Sequence, residues 1–115
     1  MIAVIFEVTP NEAGKDEYLD IAANLREHLQ DLPGFISIER FQSLSDPHKL
    51  LSLSFWEDEE SLAQWRNLEE HRRAQAKGRG KLFNEYRIRV GNVIRDYSLT
   101  EREEAPNDSR AAHRT

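Results

Sequence analysis

Residues Ile2 to Val8 alternate Ile2, Val4, Phe6 and Val8 against Ala3, Ile5 and Glu7, so both faces of an extended segment are apolar until Glu7 interrupts one. A strand of that kind is predicted to run through the middle of a sheet and to be covered on both sides. After a turn with Pro10 and Gly14, residues Tyr18, Ile21, Ala22, Leu25, Leu29 and Leu32 recur at three- and four-residue steps. This spacing predicts an amphipathic helix, which Pro33-Gly34 stops. Alternation returns from Phe35 to Ser43 and, beyond the turn Ser45-Asp46-Pro47, from Lys49 to Glu57, where Leu51, Leu53 and Phe55 oppose Leu50, Ser52, Ser54 and Trp56. The two runs read as a hairpin. Acidic residues from Glu57 to Glu60 suit a helix N-terminus, and the second helix is predicted to turn Leu62 and Trp65 inward and to end near Lys77, before Gly78 and Gly80. Tyr86, Ile88 and Val90 then alternate, a bulge is expected at Gly91, and Val93 to Tyr97 would complete a long last strand.

Strand, helix, strand, strand, helix, strand is the order of a ferredoxin-like βαββαβ unit, an α+β fold with an antiparallel sheet and both helices on one face. The first strand's apolar second face then requires a cover, and two such sheets packed face to face make a dimeric α+β barrel. A homodimer is therefore expected. Apolar residues thin out after Ser98, which predicts one folded domain over residues 1–98 and a polar, disordered tail over 99–115.

A chain of 115 residues with 38% hydrophobic and 32% charged residues has room for one core, and no apolar run approaches the roughly 18 residues of a membrane span. Because no basic residue precedes the apolar start, no secretory signal is expected and a cytoplasmic location is. The absence of cysteine excludes disulfides, thiol nucleophiles and iron–sulfur ligation together. A net charge of -5 argues against generic nucleic-acid or anionic-membrane binding. That total is uneven: Met1 to Trp65 holds 4 basic and 13 acidic residues, Arg66 to Arg95 holds 9 and 3, and Asp96 to Thr115 holds 3 and 5. The basic middle segment is where an anionic ligand would be met.

No phosphate loop, nucleophile elbow or His-Glu-x-x-His site is present, and the scattered histidines make no metal site. His71 stands apart because it shares a helix face with Ala74, Gln75 and Gly78, a stripe of small and polar groups where a packed core would carry leucine. Such a stripe fits a pocket between helix and sheet, with hydrogen bonding inside the helix turn as the equally weighted alternative. Trp56 and Trp65 are expected in the core ahead of any contact with ligand. If Glu7 points inward it needs a basic partner, for which Arg40, Arg87 and Arg89 are available.

The segments PGFISIERF from Pro33, FWEDEESLAQWRN from Phe55 and EHRRAQAKGR from Glu70, with the closing YRIRVGNVIRDY strand, resemble the antibiotic biosynthesis monooxygenase family over roughly Met1 to Tyr97. The resemblance implies a ferredoxin-like subunit that pairs into a dimeric barrel, with a pocket between sheet and helices. It also implies one of several activities: cofactor-independent oxygenation of phenols and quinols, haem degradation, or none settled. The haem-degrading branch combines a first-strand asparagine, a second-helix tryptophan and a histidine ten residues further on. Trp65 matches, but the other positions hold Phe6 or Glu7 and Gln75, so haem binding is disfavoured.

Cofactor-free oxygenation of a phenol asks the protein to hold the ring, accept a proton and stabilise the phenolate. Under that resemblance His71 would be the base, its ordinary pKa of about 6.5 suiting neutral pH. Arg72 or Arg40 would stabilise the anion, while Trp65, Phe35 and Tyr86 would clamp the ring and Glu7 and Gln75 would line the pocket. The expectation is a monooxygenase for a small phenolic or quinol-like aromatic that uses no cofactor and no metal. A non-catalytic binding module with the same pocket is the alternative, and a haem protein ranks third.

Overall fold

The computed structural model describes residues 1–12, 14–76 and 83–112, with side chains described as far as residue 68 in the second helix and residue 109 in the third. The elements are β1 (Ile2–Pro10), α1 (Lys15–Leu29), β2 (Phe35–Gln42), β3 (Leu50–Trp56), α2 (Glu59–Ala76), β4 (Phe83–Asn92) and α3 (Asn107–Ala112). The four strands form one antiparallel sheet in the order β2-β3-β1-β4, the ferredoxin-like α+β arrangement that the alternation predicts. β1 lies inside the sheet because it is apolar along nearly its whole length.

Register assigns every strand residue to a face. Ile2, Val4, Phe6 and Val8 stand opposite Trp56, Ser54, Ser52 and Leu50 on one side and Asn92, Val90, Ile88 and Tyr86 on the other. This is the face the helices cover. Phe6 and Val8 pack with Tyr18 of α1 and with Phe83, while Val4 and Trp56 pack with Leu29, Leu62 and Trp65. The two small serines, both buried, leave room on β3 for the helices to reach the sheet between Leu50 and Trp56. Consequently Leu51, Leu53 and Phe55, the more apolar side of β3, face away from the helices.

α1 stops at Leu29, one turn short of Leu32, because the chain tightens there: the Leu32 amide donates to the Leu29 carbonyl at 3.1 Å and Phe35 to Leu32 at 3.3 Å. Gly34 follows with φ of +83°, a left-handed conformation that favours glycine. Its carbonyl accepts from the Glu57 amide at 2.8 Å, and a Cβ on it would collide with the Ser61 hydroxyl, so the β2 start is locked to the α2 start.

Two expectations about the C-terminal half need correction. Gly91 is no bulge, since it pairs in register with Ala3; the β1–β4 ladder is instead irregular at Thr9/Pro10, where proline has no amide to donate. β4 ends at Asn92, and beyond it the Val93 amide bonds to the Met1 carbonyl at 2.9 Å, so Val93 to Tyr97 do not extend the strand. The described part of the polar tail makes local contacts of its own. Arg102 donates to the Ser98 carbonyl at 3.1 Å and to the Ser109 hydroxyl at 2.8 Å and lies 5.1 Å from the Tyr97 ring centre, and α3 follows at Asn107.

Candidate functional site

Among the described residues the helix layer covers β1, β3 and, through Tyr18, the Phe83 end of β4, but not the rest of that strand. Val4, Phe6 and Val8 are buried, whereas their cross-strand neighbours Val90, Ile88 and Tyr86 are 50%, 45% and 54% exposed. Three apolar side chains thus form a ledge facing the helix side of the sheet. Tyr86 closes one end by edge-to-face contacts with Phe6 and Phe83, each at 5.9 Å between ring centres. Tyr18 backs the cluster, 5.3 Å from Phe83. An exposed apolar ledge beside a covered core is the kind of surface that marks a contact or binding site.

His71, Arg72 and Gln75 all belong to the second half of α2, but their side chains lie outside the described residues. Trp65, one and a half turns earlier, is core: its ring centre is 5.9 Å from that of Trp56 and it is 9% exposed. Trp56 donates its indole N–H to the Ser54 hydroxyl at 3.0 Å, whereas the Trp65 indole N–H is buried without a partner among the described residues. Phe35 stands on the far edge of the sheet, 5.3 Å from Trp56, and lines a separate cavity of about 220 Å³ with Arg26, Gln30, Ser37 and Ile38. Because β2 and β4 are opposite edges of the sheet, Phe35 and Tyr86 are not brought together as two sides of one clamp.

Arg40 stands opposite Ser52 on the helix face, with its Nε buried and without a partner among the described residues. Glu7 is on the other face, paired with Arg89 at 3.4 Å and Lys49 at 3.6 Å, so Arg40 is not its partner. The lining of a shallow cavity of about 140 Å³ there, formed with Asp46, Glu85 and Arg87 among others, is polar. Sequence reasoning therefore grouped Glu7 and Arg40 with residues that a strand's two-sidedness separates. It missed the Phe6, Phe83 and Tyr18 backing of Tyr86, and Lys49 as a partner of Glu7; alternation marks faces without saying which residues of distant strands share one.

Haem does not fit the first-strand positions of the haem-degrading pattern. Phe6 is buried against Phe83 and Tyr86, and the Glu7 carboxylate is turned to the face without helices, so neither gives a porphyrin a polar contact on the helix side. Among the described residues, no group of three or more His, Asp or Glu side chains is placed to hold a metal ion. No described helix is long and apolar enough to cross a membrane.

Comparisons with known proteins bear on the same site. The chain is 50% identical over 93 residues to a jasmonate monooxygenase of Pyricularia oryzae, an alignment spanning 81% of this chain and 43% of that protein. It therefore spans less than half the length of that relative. Its fold matches the crystal structure of Rv0793 from Mycobacterium tuberculosis with a TM-score of 0.71 at 16% identity, covering 84% of this chain and 98% of that one. It also matches an MhuD variant carrying two manganese protoporphyrin IX groups per active site, with a TM-score of 0.64 at 15% identity over 85% and 99% of the two chains. At those identities the likeness is one of fold. The profile described as antibiotic biosynthesis monooxygenase matches residues 1–77, and with the half-identical relative it shows that this chain belongs to the antibiotic biosynthesis monooxygenase family.

Proposed function

We propose that the chain is a monooxygenase for a small, largely apolar molecule carrying an acidic group, bound between the β4 ledge and the second half of α2. The observation that carries this reading is the 50% identity over 93 residues to a protein named for oxygenating jasmonate, a cyclopentanone carboxylic acid. The ledge's chemistry supports it: Tyr86, Ile88 and Val90 offer an apolar wall, and Arg66 to Arg95 is the chain's basic segment. In this reading His71 moves the proton and Arg72 holds the anion, while Trp65 and Tyr86 bound the cavity.

A phenolic or quinol-like aromatic is the second substrate class, favoured by the edge-to-face rings of Phe6, Phe83 and Tyr86, which suit an aromatic guest. The two classes differ in their electrons. An activated CH2 group of a phenol or quinol reacts with O2 to give a carbonyl and water, supplying all four electrons itself, so no cofactor is required. Hydroxylating an unactivated C–H bond supplies two, and two more with two protons must come from a reductant of the nicotinamide or flavin class.

The test is aerobic incubation with jasmonate and with a panel of naphthols and hydroquinones, each with and without reduced nicotinamide, following oxygen uptake and product mass. Uptake with a product containing one added oxygen atom supports the reading, and His71→Ala should abolish it. Saturable binding without uptake under any condition would leave a binding module. The same reading places the catalytic unit in residues 1–98, in the cytoplasm, with no nucleic acid or membrane as partner. It also pairs the chain with a second copy, because the apolar second face of β1 and β3 requires a cover.

A further inference from the structure

Phe35 and Arg40, which the sequence groups with the substrate site, lie on β2, at the sheet edge away from the β4 ledge. Three strand spacings, about 14 Å, separate the two edges. Between β2 and α1 lies the cavity of about 220 Å³ that Phe35 lines with Arg26, Gln30, Ser37 and Ile38. Arg26 and Gln30 are four residues apart at the end of α1, so they stand on one flank of the helix. An extra residue in β2, Ile36, breaks the register between Phe35 and Ser37 and is 46% exposed. That bulge puts Phe35 and Ile38, three residues apart, on the same helix-side face, opposite Trp56 and Ser54. The Phe35 ring is held 5.3 Å from that of the fully buried Trp56, which gives the cavity a fixed apolar wall.

We infer that this α1–β2 groove is a second binding site, for a small carboxylate with an apolar body, separate from the substrate site. Its charge selects the ligand. Arg40 follows Ile38 on the same face, about 7 Å further along the strand. Its Nε is buried without a partner among the described residues, and neither Arg26 nor Arg40 makes an ion pair among them. A buried charged donor without an acceptor is costly, and a carboxylate is the acceptor that two guanidinium groups bind best. Such a group accepts about four hydrogen bonds, and Arg26, Arg40, Gln30 and Ser37 are donors of that number along the groove. The half-buried Phe35 and Ile38 take the hydrocarbon. At about 30 Å³ for each water-sized group, the cavity admits about seven, which suits an acid of about six carbons and not a polycyclic ring system. The site stands on this geometry alone and is independent of the monooxygenase reading.

The experiment titrates the full chain, labelled with nitrogen-15, with hexanoate and with 1-hexanol, its neutral counterpart, and follows backbone amide shifts. Hexanoate should move the amides of Arg26, Gln30, Ser37 and Ile38 saturably, with a Kd of about 1 mM, and 1-hexanol should bind about tenfold more weakly or less. Arg26→Gln and Arg40→Gln should each raise the hexanoate Kd about fivefold or more, while Ile88→Asn, at the other edge, should leave it unchanged. No saturable shift up to about 20 mM overturns the site. Shifts confined to Tyr86, Ile88 and Val90 and removed by Ile88→Asn overturn it too, since the acid then occupies the ledge. So does binding that both arginine variants leave intact. Should Arg40→Gln fail to fold, Arg26→Gln and the comparison of hexanoate with 1-hexanol on the wild type still decide, and equal affinity for acid and alcohol overturns recognition of a carboxylate.

Discussion

Val90 stands directly opposite Val4 across the β1–β4 ladder, yet Val4 is 3% exposed and Val90 is 50% exposed. Two valines in one cross-strand pair, on one face, therefore have different roles: Val4 belongs to the core beneath Trp65 and Leu62, and Val90 belongs to the open ledge.

Substitutions on the two strands should separate accordingly. Phe6→Ala, in the closed part, is expected to lower stability by about 3–5 kcal/mol, the usual cost of emptying a buried phenylalanine site. Ile88→Asn, on the ledge next to it, should change stability by under about 1 kcal/mol while lowering kcat/KM for an apolar substrate roughly tenfold or more. Thermal denaturation and steady-state oxygen uptake on the same samples check both, and a large stability loss for Ile88→Asn would mean the ledge is core.

The two tryptophans predict a second contrast. Trp56→Phe removes the donor to the buried Ser54 hydroxyl, and a lost buried hydrogen bond costs about 1 kcal/mol. Trp65→Phe removes an N–H that has no partner among the described residues, so its stability cost should be the smaller one. If that N–H meets substrate, Trp65→Phe will raise KM or lower kcat without matching loss of stability. Equal kinetics for wild type and Trp65→Phe would make Trp65 a packing residue only.

At the start of α2, the Ser61 amide and hydroxyl each donate to Asp58 Oδ1 at 2.8 Å. The backbone bond first, and the hydroxyl bond second, hold the Asp58 carboxyl below its ordinary value. A carboxyl depressed in the folded state stabilises fully above its unfolded pKa and loses that contribution as pH falls through the folded value. Acid titration should therefore destabilise the wild type more steeply than Asp58→Asn across the acidic range below the ordinary carboxylate value. Followed by chemical denaturation at each pH, identical slopes for the two proteins would discount the cap.

Gly34 joins the same corner. Gly34→Ala forces a side chain into the left-handed region and against the Ser61 hydroxyl, and should cost about 1–3 kcal/mol. Adding Ser61→Gly removes the collision but not the backbone strain. Denaturation midpoints of the double variant should consequently recover part of the loss beyond additivity, and strict additivity would place the collision elsewhere.

Periodicity in the sequence determined the elements, their order and the central position of β1, because a period of two or of 3.6 is a local property that each segment carries by itself. The apolar second face of β1 already required a cover, and the basic stretch from Arg66 to Arg95 already marked one third of the chain. Which face of each strand the helices take was decided only by tertiary structure. Ser52 and Ser54 went beneath the helices while Leu51, Leu53 and Phe55 were left outside, since the bulk of Leu50 and Trp56 is accommodated against α1 and α2 where serines make room. The same step separated Glu7 from Arg40, placed Phe35 and Tyr86 on opposite edges, and left Tyr86, Ile88 and Val90 uncovered. Alternation divides a strand's residues into two sets; only the pairing of strands distant in sequence, and the reach of the helices across them, gives each set its environment.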